Sequence, residues 1–400
     1  MSDNNSVYHK LGDFRLALNQ IFEQRDRLFP KRDLKNTIAT REILTAYTNT
    51  LKSIKERNLD INNKLTESVK EITDKCVFIC GCMKSGTSLL LELLDGHPEL
   101  IVMPGDSHMI NLINKHYNLP LSKRLEGWDT YWTSRLINPT GQKPFWILGE
   151  HNIPYLNFLY YLDYWLEYLP LSDRASFLAV VLAFYCANPK RPANPKLWVE
   201  KTPGNEMKTD QIKNLFPAAH FIHIIRDPRP NIASLKRLCK LRKWNWNALN
   251  YVKMIQNSIE AGFQNQERFG KEKYHILRYE DLVTNPVTQM KNIARFLEIS
   301  MDEILLHPTV NSLPAKSNTM FEERQIQGKI LMALSNRWRT ELDSFEQRLI
   351  SGILYPAAKR LGYYYDWNFG PISHVYYLCY YYEHFRKLIY RMFKLIRKLK

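Results

Sequence analysis

The segment Lys75–Pro104 reads KCVFICGCMKSGTSLLLELLDGHPELIVMP. It starts with a short β-rich apolar run, passes through a turn of Gly, Ser and Thr, and continues as the apolar stretch LLLELL, which Gly96-His97-Pro98 ends. This order predicts a strand, a loop and a helix, which is how a parallel α/β unit begins. The final ELIVMP (99–104) predicts a second strand.

Two further apolar runs are each followed by a polar turn and a helical pattern. HFIHII (220–225) leads into RDPRP and the helical pattern NIASLKRL, and YHILRY (274–279) leads into EDLVTNP and VTQMKNIARFL. Strands that alternate with helical patterns indicate a parallel sheet covered by helices. We therefore expect an α/β protein with a P-loop-like three-layer fold and a central parallel sheet.

The sequence before, within and after this α/β region predicts further segments. Residues 1–74 hold 13 basic and 11 acidic side chains with apolar residues at helical spacing, which predicts a helical extension. We expect the main domain to cover 75–370. Within it, the stretch 107–195, rich in Trp, Tyr and Pro, is interpreted as a lid or acceptor-binding insertion. Residues 371–400 form a basic tail.

The composition restricts the protein class. The 400 residues are 45% hydrophobic and 24% charged, which excludes a disordered chain, and the net charge is +16. Six cysteines without a CxxC pair favour a reducing compartment. The polar start lacks a signal peptide, and the longest apolar run, 175–187, has 13 residues where about 20 span a bilayer. These features predict a cytoplasmic protein.

The excess positive charge implies an anionic partner: nucleic acid, acidic lipid or a phosphate-rich small molecule. Residues 384–400 contain seven basic side chains and no acidic one, with apolar residues on one helical face. This pattern predicts an amphipathic C-terminal helix that attaches peripherally to the acidic inner face of a membrane. A helix docked on the protein itself is the alternative. No nucleic-acid module is recognisable, so nucleic acid is not expected.

The loop Gly81–Ser88 (GCMKSGTS) carries the strongest chemical signal. Backbone N–H groups in such a turn, together with the positive end of the following helix, form an anion cradle, and Lys84 adds a full charge. A nucleotide triphosphatase loop has Lys directly after its second Gly, where this chain has Thr87. A P-loop phosphotransferase is therefore the weaker alternative, and an ordinary strand–helix turn is the simplest one.

A second anion site is indicated where the 220–225 strand ends. Arg226 follows that strand and Ser234 lies eight residues further on, in the next predicted helix. Together they could hold a phosphate group. Taken alone, however, an Arg-Asp-Pro phrase at a strand end is as often structural as functional.

Four phrases in one order form a more specific signal: KSGTS (84–88), KTP (201–203), RDPR…S (226–234) and RYEDL…NP (278–286). With HPEL, NRWRTEL and KRLGY, they resemble the sulfotransferase family that uses 3′-phosphoadenosine 5′-phosphosulfate (PAPS). The resemblance covers about residues 75–366 and is closest to the branch of tyrosylprotein and bacterial sulfotransferases. It implies transfer of a sulfonate group to an acceptor hydroxyl on a carbohydrate, a lipid or a peptide, with no metal.

The resemblance also implies roles for individual residues. The loop side chains would bind the 5′-phosphosulfate, Lys84 and Lys201 would stabilise charge at the transferring group, and Arg226 with Ser234 would bind the 3′-phosphate. The adenine contact would come from Tyr279, and Arg337 and Ser317 would lie near the nucleotide. The loop residues are Lys84, Ser85, Gly86, Thr87 and Ser88. Without the resemblance, Lys201 would be read as a surface lysine, and a catalytically silent, membrane-associated scaffold would be the non-enzymatic alternative.

The base that accepts the acceptor's proton remains open at this stage. The resemblance places a Glu just after the second strand, where this chain has Pro104-Gly105-Asp106-Ser107-His108. Asp106 has the matching position with one methylene less, and His108 follows two residues later. Either group could act as a general base. Asp106 could instead cap the following helix.

Overall fold

The computed structural model describes residues 72–115, 158, 161–162, 164–165, 168–170, 172–315, 327–330 and 335–363. The predicted tail 371–400, all but the last three residues of the extension 1–74, and residues 116–157 of the aromatic insertion lie outside the described residues. The predictions for them stay predictions.

Strands and helices alternate through most of the described chain. The strands are β1 (Cys76–Cys80), β2 (Leu100–Asp106), β3 (Leu197–Lys201), β4 (His220–Ile225), β5 (Tyr274–Arg278), β6 (Thr309–Val310) and β7 (Leu313–Pro314). The α-helices are α1 (Thr87–Leu94), α2 (Met109–Lys115), α3 (Asp173–Ala187), α4 (Thr209–Leu215), α5 (Pro228–Arg242), α6 (Ala248–Phe269), α7 (Tyr279–Thr284), α8 (Pro286–Phe296), α9 (Trp338–Glu341) and α10 (Ser344–Arg360). Short 3-10 helices cover Asn205–Lys208, Glu303–Leu306 and Ser335–Arg337.

The central sheet confirms the α/β prediction. Its five strands have the order β2-β3-β1-β4-β5, and β6 pairs with β7 in a separate antiparallel ribbon. The β1–β4 and β4–β5 pairs are parallel, with Phe78 opposite Phe221 and Phe221 opposite Tyr274. All five residues of β1 are buried, as expected for a strand covered by helices on both faces. In a parallel sheet the loops after β1, β3, β4 and β5 lie at one edge.

Three details differ from the sequence-based expectations. β3 lies between β2 and β1, although no strand was predicted there. The second strand continues to Asp106, so Asp106 ends the strand rather than following it. The third predicted strand ends at Arg278, and Tyr279 is the first residue of α7.

The chain divides into two compact units. One contains residues 1–75, 98–198 and 215–217, and the other contains 76–97, 199–214 and 218–400. In the described part of the first unit, Trp198 packs against Phe177 and Phe216, with ring centroids 5.2 and 5.0 Å away. Residues 175–187 of α3 are buried on every side, so this apolar run is a core helix. Among the described residues, no helix is long and apolar enough to cross a membrane.

In the second unit, helices α5, α6 and α10 share one apolar core. Ile232, Ile255 and Ile350 are buried there together with Trp338. Helix α10 begins with a capping box: the Asp343 side chain accepts from the Glu346 backbone, and the Glu346 side chain accepts from the Asp343 backbone. Cys82, in the loop after β1, and Ile225, at the end of β4, belong to this core. The loops after β1, β3, β4 and β5 all belong to the second unit.

Candidate active site

The loop between β1 and α1 has a backbone that two glycines make possible. Gly81 has φ 139° and Gly86 has φ 110°, values that side-chain-bearing residues rarely adopt. A Cβ atom at Gly81 would lie 2.6 Å from the Ile224 carbonyl oxygen, and one at Gly86 would lie 2.4 Å from the Tyr279 ring. Between them, Lys84 itself has a left-handed φ of 66°. The predicted loop therefore forms a tight turn against β4 and α7.

Residues that follow β3 bond to the backbone of the loop at Gly81. Gly81 N–H donates to Glu206 Oε2 at 2.9 Å, and Gly204 N–H donates to the Gly81 carbonyl at 3.2 Å. The other Glu206 oxygen accepts from Ser258 Oγ at 2.6 Å. Glu206 is only 3% exposed, so this carboxylate serves the backbone and α6 rather than solvent. Glu206 and its contacts were not predicted from sequence.

Asparagine side chains from two other elements also bond to the strand and the loop. Asn231 Nδ2, on α5, donates to the Met83 carbonyl at 2.9 Å. Asn205 Nδ2 donates to the Ile79 carbonyl at 3.3 Å and to Glu200 Oε2 at 2.8 Å. Since each of these backbone carbonyls has a side-chain donor, the loop is fixed before any ligand binds.

Three cationic side chains that were proposed from the sequence for donor binding, Lys84, Lys201 and Arg226, are associated with this loop. Lys201 is only 4% exposed, and its Nζ donates to Ser88 Oγ at 3.2 Å. Arg226 Nη1 donates to the Lys84 carbonyl at 3.2 Å. Burial, together with the charges of Arg226 and Lys201, lowers the pKa of Lys84 to about 8. The surface-lysine interpretation of Lys201 is wrong.

Arg226 lies on an aromatic platform. Its guanidinium carbon is 4.4 Å from the centroid of the Tyr279 ring, a cation–π distance. The same ring packs against Gly86, and burial raises the pKa of the Tyr279 hydroxyl. Tyr279 thus contacts both the loop and Arg226. Its predicted adenine contact stays a prediction.

The phrases RDPR and RYED are connected in space. Glu280 accepts from Asp227 N–H at 3.1 Å through one oxygen and from Tyr363 Oη at 2.5 Å through the other. Asp227 in turn binds the Arg229 side chain at 2.7 Å and accepts from the Arg229 backbone N–H as the cap of α5. These contacts set the direction in which the chain leaves β4, directly after Arg226.

The other predicted nucleotide-binding residues have different surroundings. Ser234 is buried in α5 and its hydroxyl donates to the Pro230 carbonyl at 2.8 Å, which leaves its oxygen able to accept. Arg337 ends a 3-10 helix and is half-buried, next to Trp338, whose ring lies 5.0 Å from the Arg229 guanidinium. Ser317 lies outside the described residues.

The two candidates for the base, in the first unit, lie beside each other. His108 Nε2 is 3.9 Å from Asp106 Oδ2, and both side chains are about one-third exposed. His108 has a left-handed φ of 54°. The Met109 N–H at the start of α2 donates to Ser107 Oγ at 3.2 Å. The capping role considered for Asp106 stays an alternative prediction.

One acidic residue near the lysines was not predicted as part of the site. Glu92 lies on α1, four positions after Ser88, so the two side chains share a helix face. Burial raises the pKa of Glu92 to about 7, even though the positive charges of Lys201 and Lys84 act in the opposite direction. An isolated glutamate in the apolar run LLLELL was the signal available in the sequence.

This site has the features required for an anionic ligand. Ser85 Oγ and Arg226 Nε are buried without a hydrogen-bond partner in the described part of the chain. The start of α1 has Gly86 as its cap and no side-chain cap bond, so first-turn N–H groups remain available. A phosphate or sulfate ester would pair with these donors and with the three cations. No three His, Cys, Asp or Glu side chains within the described ranges are grouped so that they could hold a metal ion.

Comparison with known proteins identifies the family. A model described as "Sulfotransferase family" matches residues 76–303. Protein-tyrosine sulfotransferase A of Caenorhabditis elegans is 25% identical over 237 residues, 59% of this chain and 53% of that protein. The protein-tyrosine sulfotransferase of Drosophila melanogaster is 23% identical, over 58% of this chain and 39% of its own length. The match thus spans about half, or less, of these curated relatives.

Among solved structures, the sulfotransferase domain from the Synechococcus PCC 7002 olefin synthase is similar, with 22% identity and a TM-score of 0.45. The similarity covers 74% of this chain and 98% of that domain. The family match includes the loop, the KTP turn, Arg226 and Tyr279, and it extends over more than half of the 400 residues. The chain belongs to the sulfotransferase family.

Proposed function

We propose that this protein transfers a sulfonate group from PAPS to an acceptor hydroxyl and releases 3′,5′-bisphosphoadenosine (PAP). The observation that carries the proposal is the convergence of Lys84, Lys201 and Arg226 on a preformed loop with unpaired donors. The donor substrate carries two phosphate groups and a sulfonate, which matches this positive charge. Family membership supports the same chemistry.

The loop and the two lysines are proposed to act on the sulfonate end of the donor. The N–H groups at the start of α1 and the hydroxyls of Ser85, Thr87 and Ser88 would hold the 5′-phosphosulfate. As the bridging S–O bond breaks, negative charge grows on the 5′-phosphate, where Lys84 and Lys201 stabilise it. Donors fixed before the reaction contribute several kcal/mol because they need no reorganisation.

The other end of the donor is proposed to bind around β4. Arg226 and Ser234 would hold the 3′-phosphate, with Arg337 adding charge, and Tyr279 would contact the adenine. Ser317 is proposed to lie near the sulfonate. The bond of Arg226 to the Lys84 carbonyl and its contact with the Tyr279 ring support this role, because they fix the guanidinium close to the loop. Anchoring both ends of the donor aligns the sulfur for in-line attack.

We propose Asp106 as the base that takes the proton of the acceptor hydroxyl, and His108, 3.9 Å from it, as its partner or substitute. Asp106→Asn should lower kcat at least about a hundredfold while leaving PAP affinity unchanged, because a general base contributes about 10²–10⁴ to the rate. Initial rates with labelled donor measure the first quantity and calorimetry with PAP measures the second. His108→Ala is the matched variant. If His108→Ala lowered kcat strongly and Asp106→Asn left kcat near the wild-type value, the base would be His108.

The acceptor class is proposed to be a hydroxyl on a peptide tyrosine, a carbohydrate or a lipid-linked molecule. The two curated relatives are named for protein tyrosine, which makes a tyrosyl peptide the first acceptor to test. Purified protein would be incubated with labelled PAPS and one acceptor of each kind. Transfer to any of them supports the proposal. PAP binding without transfer to any would favour the silent scaffold, and nucleoside triphosphate binding with Mg²⁺ but no PAP binding would favour the phosphotransferase.

We also propose a peripheral position on an acidic membrane surface through residues 384–400. One observation in the second unit favours such a surface: the end of α5 exposes Leu241 (63%) and Trp244 (49%). Lys240, Arg242 and Lys243 surround them and are exposed as well. Basic side chains beside an exposed tryptophan are typical of interfacial attachment.

A vesicle assay tests this surface. The full chain should sediment with vesicles containing phosphatidylserine, and less so at high salt, because screening weakens attraction between exposed charges. Replacement of Lys394, Arg397 and Lys398 by glutamate should remove most of this binding. Equal sedimentation of the two proteins would contradict the assignment to the tail, and sedimentation with neutral vesicles alone would contradict an electrostatic mechanism.

A further inference from the structure

The site contains an acidic side chain that the proposed chemistry does not use. Glu92 lies on α1 between buried leucines, and its carboxyl is itself mostly shielded from solvent. Placing an anion beside a site for an anionic donor weakens donor binding by like-charge repulsion. A neutral or apolar residue at this position would avoid that cost, so the presence of a glutamate needs an explanation.

The geometry relates Glu92 to the two lysines of the site. Ser88 accepts a bond from Lys201 Nζ at 3.2 Å, and Ser88 and Glu92 are neighbours on one face of α1. The charged groups that act on the Glu92 carboxyl are Lys201 on β3, Asp95 on α1 and Lys84 on the loop. Of these, the Asp95 carboxylate is engaged elsewhere: it accepts from Thr309 Oγ1 at 2.7 Å and from Ser312 N–H at 2.8 Å. Lys201 and Lys84 are the groups of opposite charge that act on the Glu92 carboxyl.

Without the donor, the cations of this site repel each other. Lys84 is partly buried beside Arg226 and Lys201, and Glu92 is the negative group that supports its charged form. When an anionic donor binds, it takes over this function and adds negative charge near Glu92. The added negative charge disfavours the ionised form of Glu92, so its carboxylate becomes more easily protonated.

We infer that Glu92 is a positioning residue that balances the charge of Lys84 and Lys201 before the donor binds, and that it takes up a proton from solvent when the donor's phosphate groups arrive. The proton adds to the carboxylate and no other bond changes. The inference rests on the proposed binding of PAPS or PAP at this site. It predicts that donor binding is coupled to the uptake of a proton and that this coupling depends on Glu92.

Calorimetry with PAP in two buffers of different ionisation enthalpy measures the protons taken up on binding. Because burial brings the pKa of Glu92 to about 7, part of its carboxylate is ready to accept a proton near neutral pH. Wild-type protein should therefore take up a measurable fraction of a proton per PAP at pH 7, most of it through Glu92. Glu92→Gln should reduce the uptake at least about twofold, while Glu92→Asp keeps it.

The control is Glu260→Gln, which removes a carboxylate from α6 that accepts from Gln256. It should take up the same number of protons as wild type. Two results would overturn the inference: PAP binding by wild type without proton uptake at pH 7, or unchanged uptake in Glu92→Gln. No PAP binding by wild type is a different outcome, because it would overturn the proposed function and the inference with it.

Discussion

Replacing Lys84 by alanine should reduce sulfonate transfer by about 10²–10³-fold. Arg226 bonds to the Lys84 carbonyl, and the charges of Arg226 and Lys201 both act on the Lys84 ammonium group. This ammonium group is the one proposed to stabilise the charge that grows on the leaving phosphate. The loss should appear mainly in kcat, because the loop N–H groups and Arg226 still bind the donor. Initial rates with labelled PAPS and calorimetry with PAP separate the two quantities.

Arg226→Ala is the companion variant, with the loss expected mainly in donor affinity. It removes the guanidinium that lies on Tyr279 and leaves both lysines in place. Lys240→Ala, at the exposed end of α5, controls for the loss of one positive charge and should behave like wild type. Normal sulfonate transfer by both site variants would overturn the assignment of this site.

Glu206→Ala should lower the free energy of unfolding by about 3 kcal/mol. The buried carboxylate accepts from Gly81 N–H and from Ser258 Oγ, and its removal leaves both donors without that partner. An unpaired buried donor costs about 1–3 kcal/mol. Because Gly81 begins the anion-binding loop, PAP affinity should fall as well. Equilibrium urea unfolding and calorimetry measure the two effects.

Ser258→Ala is a graded control for this prediction. It removes one of the two bonds to Glu206 and leaves the bond to Gly81, so it should cost about 1 kcal/mol and leave PAP affinity unchanged. If Glu206→Ala unfolded within about 0.5 kcal/mol of wild type, the loop would not depend on this carboxylate.

The fold was predictable where the hydrophobic pattern is local. β1, β4 and the loop after β1 follow from runs of apolar residues and from glycine spacing. β3 was missed because Leu197–Lys201 (LWVEK) ends in two charged residues, which are buried here: Glu200 accepts from Thr202 at 2.6 Å and from Asn205, and Lys201 bonds to Ser88. A strand with a buried ion at its end does not show the apolar pattern of a central strand.

For the site, the sequence could propose only residues that lie in short phrases. Lys84, Lys201 and Arg226 were proposed because phrases that resemble the sulfotransferase family contain them, and their roles stay predictions. Glu206 acts on a residue 125 positions earlier in the chain, and Asn231 on one 148 positions earlier, so only the folded arrangement reveals their roles. Tyr279 was assigned to a strand because apolar residues precede it, but helix α7 begins there and directs the ring to Gly86.

The paired bonds at Gly81 have a consequence for protein engineering. Both backbone groups of Gly81 are held by the segment after β3: its N–H by Glu206 and its carbonyl by Gly204 N–H. A loop transplanted from a relative into positions 81–88 can keep this support, because both bonds need only the backbone of residue 81. A chimaera that replaces residues 202–206 loses the Glu206 bond unless a carboxylate stays at position 206, although more than 100 residues separate the two segments in the sequence.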